Sequence, residues 1–182
     1  MQEKTTPFQK WYEKHIQECR HIPTFTGKKA RNNLFVIYAL ACKGEASYAS
    51  CWDLALEYVR QTEPNFNNLM PDTVYRKRLA ANATLNRSLL TLQLKGYVSK
   101  EGTLYKLTKK GVFLVIMLDP NLLMEKVPEL AFDEPISEFV RGALTSLFHS
   151  WKVNLDEISE DDLIQLFDKT LFSLTSSEKT HD

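Results

Sequence analysis

Apolar side chains recur every three or four residues along much of the first half of the chain, a spacing that predicts helices. The first 20 residues show this spacing, and Pro7 suits the first turn of a helix because its missing N–H would be unpaired there in any case. The residues that recur at this spacing are Phe8, Trp11, Tyr12, His15 and Ile16. We therefore predict an N-terminal helix, followed by a loop over residues 21–27.

Two further helices are predicted before residue 62. The segment from Asn32 to Cys42 is largely apolar, and Asn32 or Asn33 could cap its start. The next helix follows Ser50, another residue that favours the capping position. Its predicted buried face comprises Trp52, Leu54, Ala55, Tyr58 and Val59. A loop should follow, because residues 62–70 contain a proline and three asparagines.

A long helix is predicted next, because no glycine or proline interrupts the chain between Pro71 and Lys95. Asp72 falls in its first turn, where the helix dipole favours an acid. The predicted inner face comprises Val74, Arg78, Ala81, Leu85, Leu89 and Leu92. Asn82 is a weak helix former near the middle of the segment. The pattern therefore predicts either one long helix or two helices with a break near Asn82.

Gly96 should end this helix, since glycine is favoured just after a helix C-terminus. From Tyr97 to Leu107, apolar and polar residues alternate on both sides of the sequence Lys-Glu-Gly, which is typical of a β-hairpin. We expect Tyr97, Leu104 and Leu107 to face inward. A short and strongly apolar helix should follow, ending near Leu118.

Charge divides the chain into two unequal parts, although the whole chain is neutral. Residues 1–118 contain 18 Lys and Arg against 9 Asp and Glu, whereas residues 119–182 contain 5 against 14. The basic part could attract phosphates, and the acidic part would repel them. Two amphipathic helices are predicted in the acidic part, at about residues 135–151 and 159–174. They could fold back on the preceding domain together with the N-terminal helix, or build a dimer.

The sequence TLNRSLLTLQLKGYV, from Thr84 to Val98, resembles the recognition helix and following strand of MarR-, ArsR- and PadR-like transcriptional regulators. The matching positions are Thr84, Leu85, Asn86, Arg87, Leu89, Leu92 and Gly96. With the order of predicted elements, the resemblance extends from Asn32 to Gly111. It implies a mainly α fold with a small β-hairpin wing, that is, a winged helix-turn-helix domain with flanking N- and C-terminal helices.

This resemblance divides the chain into four regions. Residues 1–27 would be an N-terminal helix and loop, and residues 28–118 the winged-helix domain. Residues 119–174 would form a C-terminal helical region that could dimerise, and residues 175–182 a disordered tail.

The resemblance also implies sequence-specific binding of double-stranded DNA by a transcriptional regulator. The helix that ends near Gly96 would enter the major groove, where arginine can pair with guanine and asparagine with adenine. The hairpin would act as a wing on the DNA backbone, and the flanking helices would make a homodimer. The candidate DNA contacts are Thr84, Asn86, Arg87 and Thr91 on this helix, Arg76, Lys77 and Arg78 nearer its start, and Lys100 and Lys106 on the wing.

Two leucines leave a second interpretation open. Leu90 lies beside Thr91, near the surface that would face DNA, and its spacing from Leu94 favours a shared packing surface. The chain would then be a winged-helix protein interaction module, or a subunit of a larger assembly, with a protein partner in place of DNA.

Sequence motifs for other chemistry are absent. The three cysteines form no CxxC pair, the four histidines are scattered, and no nucleotide-binding or hydrolase motif occurs. We therefore expect no enzyme, no metal site and no other cofactor. No apolar run reaches bilayer length and the N-terminus lacks the apolar stretch of a signal peptide, so we expect no membrane contact and a cytoplasmic location.

Overall fold

The structure is a computed structural model that describes residues 5–43, 48, 50–119, 121–124 and 154–165. Its helices are α1 (Pro7–His15), α2 (Ala30–Lys43), α3 (Cys51–Thr62), α4 (Pro71–Leu94), α5 (Lys109–Leu118) and α6 (Asn121–Met124). Its strands are β1 (Val98–Glu101) and β2 (Leu104–Leu107), which pair antiparallel. Single turns of 3₁₀ helix occur at Ile16–Cys19, Pro23–Phe25, Gly27–Lys29, Phe66–Asn68 and Leu155–Glu157. The described residues are thus mainly helical with one small hairpin, as predicted.

The C-terminal predictions are only partly covered by the described residues. Residues 160–165 are helical, and the Ser159 hydroxyl accepts a hydrogen bond from the Asp162 amide at 3.1 Å. The predicted start of the last helix is therefore confirmed. The predicted helix at residues 135–151, the remainder of the last helix and the tail at residues 175–182 lie outside the described residues.

Helix α2 lies at the centre of the core, with nine buried residues along its length. Helix α1 packs on α2 and α3 through Phe8, whose ring meets that of Phe35 edge to face at 5.1 Å. The Thr6 hydroxyl caps α1 and also donates a hydrogen bond of 2.6 Å to the carbonyl oxygen of Gln61 at the end of α3. The apolar face of α1 is therefore buried within its own chain, which is the first of the two arrangements considered for the N-terminal helix.

The predicted cap of α2 is wrong. The helix begins at Ala30, so Asn32 and Asn33 lie in its first turn and not before it. Both amides are used elsewhere: Asn33 donates to the carbonyl oxygen of Thr24 at 2.7 Å, and Asn32 accepts from the Tyr58 hydroxyl at 2.8 Å. A 3₁₀ turn at Gly27–Lys29 directly precedes the helix, just after the predicted loop over residues 21–27.

The predicted cap of α3 is confirmed, since the Ser50 hydroxyl accepts from the Asp53 amide. Leu54, Ala55 and Val59 are buried as expected, whereas Trp52 and Tyr58 remain half-buried. Helix α4 is a single helix of 24 residues with no break at Asn82. Its buried residues are Ala81, Leu85, Ser88, Leu89 and Leu92, which face α2 and α3.

Gly96 ends α4 as predicted, with a positive φ of 80°. The Tyr97 amide donates back to the carbonyl oxygen of Leu92 at 2.9 Å, and the Gly96 amide donates to that of Gln93. These two bonds make a Schellman motif, which satisfies carbonyl groups that the helix end leaves unpaired. Because the motif reverses the chain direction, it directs β1 back along the domain.

The orientation of Leu104 differs from the predicted one. Val98 pairs with Leu107 and Lys100 with Tyr105, so these four side chains share one face of the hairpin. Tyr105 is buried on that face, whereas Leu104 lies on the other and is 37% exposed. The expectation that Leu104 faces inward is wrong. The turn pairs Glu101 with Leu104, and the alternation of side chains along β2 then places Leu104 on the face opposite Tyr105 and Leu107.

Two main-chain bonds and one side-chain cap fix the hairpin to the domain. The Tyr105 amide donates to the carbonyl oxygen of Tyr48, in the connection between α2 and α3, at 3.2 Å. The Thr108 amide donates to the carbonyl oxygen of Tyr97, and the Thr108 hydroxyl caps α5. The hairpin is thus held between the end of α4 and the start of α5.

Among the described helices, none has the length and apolar character that crossing a membrane requires.

Candidate nucleic-acid interface

The exposed half of α4 is divided between two kinds of side chain. At about 3.6 residues per turn, one exposed side carries mostly basic and hydroxyl side chains, with the exposed Ala80 among them. We call it the basic face; it comprises Arg76, Thr84, Arg87, Thr91 and Lys95. Three of the predicted contacts on the recognition helix, Thr84, Arg87 and Thr91, therefore share one surface with Arg76.

Arg76 and Arg87 are the two residues of the basic face best placed to bind an external anion. Both are exposed, and neither makes a hydrogen bond or ion pair with any described residue. Thr84 is half-buried, and its hydroxyl donates a hydrogen bond to the carbonyl oxygen of Ala80 at 3.1 Å. An arginine without a partner keeps all five N–H donors for a phosphate or a base edge.

Arg78 has a different environment, although it lies only two residues from Arg76. Its Nε donates to the carbonyl oxygen of Trp52 at 2.8 Å, and its guanidinium lies 4.1 Å from the centre of the Trp52 ring. A terminal nitrogen also approaches Asp53 at 3.4 Å. These contacts join α4 to α3, so the guanidinium is directed at the protein.

Lys77 is also paired within the chain, since its ammonium lies 2.7 Å from the carboxylate of Glu63. Its side chain remains 40% exposed, so this ion pair is partly screened by solvent. The three consecutive basic residues at 76–78 therefore do not form one phosphate clamp. Only Arg76 of the three projects freely on the basic face.

Asn86 lies apart from the other predicted recognition residues. It is exposed on a second side of α4, among apolar side chains that are each more than half exposed. We call this set the apolar stripe; it comprises Tyr75 (58% exposed), Leu79 (53%), Leu90 (58%) and Leu94 (78%). An asparagine surrounded by such side chains is poorly placed to read a base together with Arg87.

The two predicted wing residues lie on opposite faces of the hairpin. Lys100 shares a face with Tyr105, and its ammonium lies 5.2 Å from the centre of that ring. Lys106 lies on the other face, where its ammonium is 2.8 Å from the carboxylate of Glu101. Lys100 is exposed near the turn, and it is the hairpin cation without a carboxylate partner in the described part of the chain.

A buried lysine supports the junction between α4 and the hairpin. The Lys110 ammonium donates to the carbonyl oxygen of Lys95 at 2.8 Å and lies 4.7 Å from the centre of the Tyr97 ring. Burial lowers the pKa of Lys110, since it disfavours the charged form. This lysine therefore holds the end of α4 in place, and it is not available to a ligand.

Nothing in the described residues points to metal or thiol chemistry. No group of three or more His, Cys, Asp or Glu side chains lies close enough there to hold a metal ion. Burial raises the pKa of Cys51 to about 11 and that of Cys19 to about 12, so neither thiol is reactive at neutral pH.

Sequence reasoning missed two features of this surface. Lys95 extends the basic face to the end of α4, and Tyr75 with Leu79 extends the apolar stripe to its start. A helical projection of the entire segment 71–95 would have grouped both sets, because each follows the same three- and four-residue spacing as its partners.

Comparisons of the chain with protein-family models, with curated proteins and with solved structures found no match.

Proposed function

We propose that this protein binds double-stranded DNA through the basic face of α4, as a winged-helix transcriptional regulator. The observation that carries the proposal is the pair Arg76 and Arg87, both exposed on one side of a rigid helix and without partners among the described residues. The order of α2, α3, α4, hairpin and α5 supports the winged-helix assignment.

Arg87 is the proposed base-reading residue. An α-helix fits into the major groove, and arginine there can donate two hydrogen bonds to the O6 and N7 atoms of guanine. Arg76 lies 11 residues earlier, which corresponds to about 16 Å along the helix. At that distance we assign it to a phosphate at the groove edge, with Lys95 and Lys100 on phosphates at the other end.

The proposed contact set is smaller than the set expected from sequence. Arg78 and Lys77 bind Trp52 and Glu63 within the chain, and Lys106 binds Glu101. Using any of them for DNA would break an existing contact, so we leave all three out. Asn86 is left out because it lies on the apolar stripe.

The test is binding to a fluorescently labelled duplex of mixed sequence, followed by anisotropy across a salt series. We expect the affinity to fall as salt rises, because each neutralised phosphate releases counterions. Arg87→Ala should weaken binding, whereas Arg76→Ala, which removes a phosphate contact, should also lower the salt slope by about one. The matched control is Arg60→Ala, which removes an exposed arginine from α3, away from the basic face. The proposal would be wrong if the wild type did not bind DNA at low salt, or if Arg60→Ala weakened binding as much as Arg87→Ala does.

A second function, protein binding, is favoured by the apolar stripe. Four large apolar side chains, each more than half exposed on one helix, form a surface that is typical of an interaction site. The centres of the stripe and of the basic face lie about a quarter of a turn apart around α4, although Leu94 lies at the same angle as Arg76.

A further inference from the structure

The last turns of α4 place leucine beside arginine on one surface. Leu90 follows Arg87 by three residues, which separates the two side chains by about 60° around the helix and about 4.5 Å along it. Leu94 follows Arg87 by seven residues and lies within about 20° of it around the helix. Leu90 is 58% exposed and Leu94 is 78% exposed, and Arg87 is exposed as well. The side of α4 that carries the proposed base-reading arginine is therefore partly apolar.

The first half of the apolar stripe has a different position. Leu79 lies eight residues before Arg87, which corresponds to about 12 Å along the helix and about 80° around it. Tyr75 is still further away, and the centre of its ring lies 5.9 Å from that of Trp52 in α3. The last two residues of the stripe are therefore the ones that can share a contact surface with Arg87.

We propose that Leu90 and Leu94 contact the 5-methyl groups of thymine in the major groove, next to the guanine that Arg87 binds. This inference rests on the proposed DNA binding through α4, and it extends that function to the choice of neighbouring bases. Thymine is the base that presents a methyl group in the major groove. Because leucine has no hydrogen-bonding group, it would distinguish thymine by this methyl group alone.

The mixed character of the surface favours DNA over an apolar protein partner. Such a partner on Leu90 would also cover Arg87, whose guanidinium would then be buried without a counter-charge. Adjacent G·C and T·A pairs instead present acceptor atoms and a methyl group one base-pair step apart. The offset of about 4.5 Å between Arg87 and Leu90 along α4 is close to that step of about 3.4 Å.

Short side chains lie next to these longer ones. Ala83 is exposed four residues before Arg87, and Thr91 is half-buried four residues after it. Neither side chain extends as far from the helix axis as an arginine or a leucine does. The backbone of α4 can therefore approach the groove closely enough for Arg87 and Leu90 to reach base edges.

The experiment begins with the selection of duplexes from a randomised pool by the full wild-type chain. We expect the selected sites to contain a guanine with a thymine within one or two base pairs of it. Each such thymine would then be replaced by deoxyuridine, which removes the methyl group and keeps the hydrogen-bonding groups. The loss of one methyl contact should weaken binding about fourfold, measured by fluorescence anisotropy at constant salt.

Leu90→Ala tests which side chain makes the contact. In this variant, one thymine of the selected site should bind no better than deoxyuridine, so the ratio of the two affinities should fall from about four to nearly one. Leu79→Ala is the matched control, since Leu79 is 53% exposed on the same helix but lies away from Arg87. Its ratio should stay at the wild-type value. Circular dichroism would verify that both variants remain folded.

Methylated cytosine gives an independent test of the same contact. 5-Methylcytosine carries its methyl group at the ring position that thymine uses, but it keeps the hydrogen-bonding groups of cytosine. A selected site with C·G in place of the contacted T·A pair should therefore bind about fourfold more tightly when this cytosine is methylated. Leu90→Ala should remove most of that difference.

The outcomes separate this contact from the proposed function on which it rests. If the wild type binds no duplex at low salt, both proposals are wrong. If it binds and Arg87→Ala weakens the binding, the DNA-binding function stands. The methyl contact would then still be wrong if the selected sites lacked thymine beside guanine, if deoxyuridine bound as well as thymine, or if Leu90→Ala kept the wild-type ratio. In each of these cases the exposed leucines would be assigned to a protein partner.

Discussion

The hydroxyl of Tyr97 donates a hydrogen bond of 2.8 Å to Oδ1 of Asp156, which lies 59 residues further along the chain. The other oxygen of the same carboxylate accepts from the amide of Thr24 at 3.0 Å and from its hydroxyl at 2.8 Å. One carboxylate thus joins the N-terminal loop, the residue before β1 and the segment at residues 154–165. Lys109 adds a second link, since its amide donates to Glu160 at 3.1 Å.

Replacing Tyr97 with phenylalanine should lower the free energy of unfolding by about 1–2 kcal/mol. The ring is fully buried and packs against Phe25 at 5.1 Å, so the substitution keeps the packing and removes the hydrogen bond to Asp156. Denaturant titration would measure the loss. Tyr75→Phe is the control, because Tyr75 is 58% exposed and its substitution should leave the stability unchanged. An equal effect of both substitutions would show that the bond to Asp156 contributes nothing.

The same tyrosine should make the protein sensitive to alkaline pH. Burial, followed by the hydrogen bond to Asp156, raises the pKa of Tyr97 above its ordinary value. The unfolded chain loses this proton near pH 10, whereas the folded chain keeps it. The contribution of Tyr97 is therefore complete below about pH 10 and is lost as the pH rises further, at up to about 1.4 kcal/mol per pH unit.

We expect Tyr97→Phe to show a shallower decrease of unfolding free energy above pH 10 than the wild type. Some decrease should remain in the variant, since burial also raises the pKa of Tyr48 to about 12. Denaturant titrations at a series of alkaline pH values would measure both slopes. Identical slopes would mean that Tyr97 ionises in the folded chain as easily as in the unfolded chain.

Much of the helical architecture could be predicted from local pattern. The start of α3 at Ser50 and the end of α4 at Gly96 followed from residues that favour those positions for local steric and hydrogen-bonding reasons. The start of α2 could not be predicted in this way. Asn33 has the chemistry of a cap, but its amide bonds to Thr24 across a loop, and sequence alone does not reveal that contact.

The candidate site likewise has some features that the local sequence pattern predicts and others that it does not. The exposed position of Arg87 followed from the helical period, since the neighbouring leucines define the buried side. The different environments of Arg76 and Arg78 could not be foreseen from the sequence. The contacts of the Arg78 side chain depend on the position of Trp52, which lies in a different helix. The orientation of Leu104 depended on the hairpin turn, where a shift of one residue exchanges the two faces.

Gly111 should not tolerate alanine. A β-carbon at this position would overlap the carbonyl oxygen of Tyr97, which already accepts from the Thr108 amide at 3.1 Å. Because that neighbour is backbone, the start of the hairpin would have to move, and we expect a loss of about 1–3 kcal/mol in unfolding free energy. Alanine normally stabilises a helix relative to glycine, so the expected sign is opposite to that of helix propensity.

The control for this substitution is Lys109→Ala, at an exposed position in the same turn of α5. It should change the stability by no more than about 0.5 kcal/mol. Thermal and denaturant unfolding of the two variants would be compared. A Gly111→Ala protein as stable as the wild type would show that α5 and the hairpin are less closely packed than the structure indicates.

Arg76 and Arg78 offer a matched pair in which stability and DNA binding should separate. Arg78→Ala removes the bond to the Trp52 carbonyl and the contact with its ring, so we expect a loss of about 1–2 kcal/mol in unfolding free energy. Because the guanidinium of Arg78 is directed at α3, the affinity of the folded protein for a duplex should stay the same.

Arg76→Ala should give the opposite result. Arg76 is exposed and has no partner among the described residues, so its removal should change the stability by less than about 0.5 kcal/mol. The affinity for DNA should fall, and the slope of log K against log salt should decrease by about one, because one phosphate contact is lost. Denaturant titration and the anisotropy salt series would be run on both variants. If Arg78→Ala weakened DNA binding as much as Arg76→Ala in fully folded protein, both arginines would contact DNA, and the assignment of Arg78 to α3 alone would be wrong.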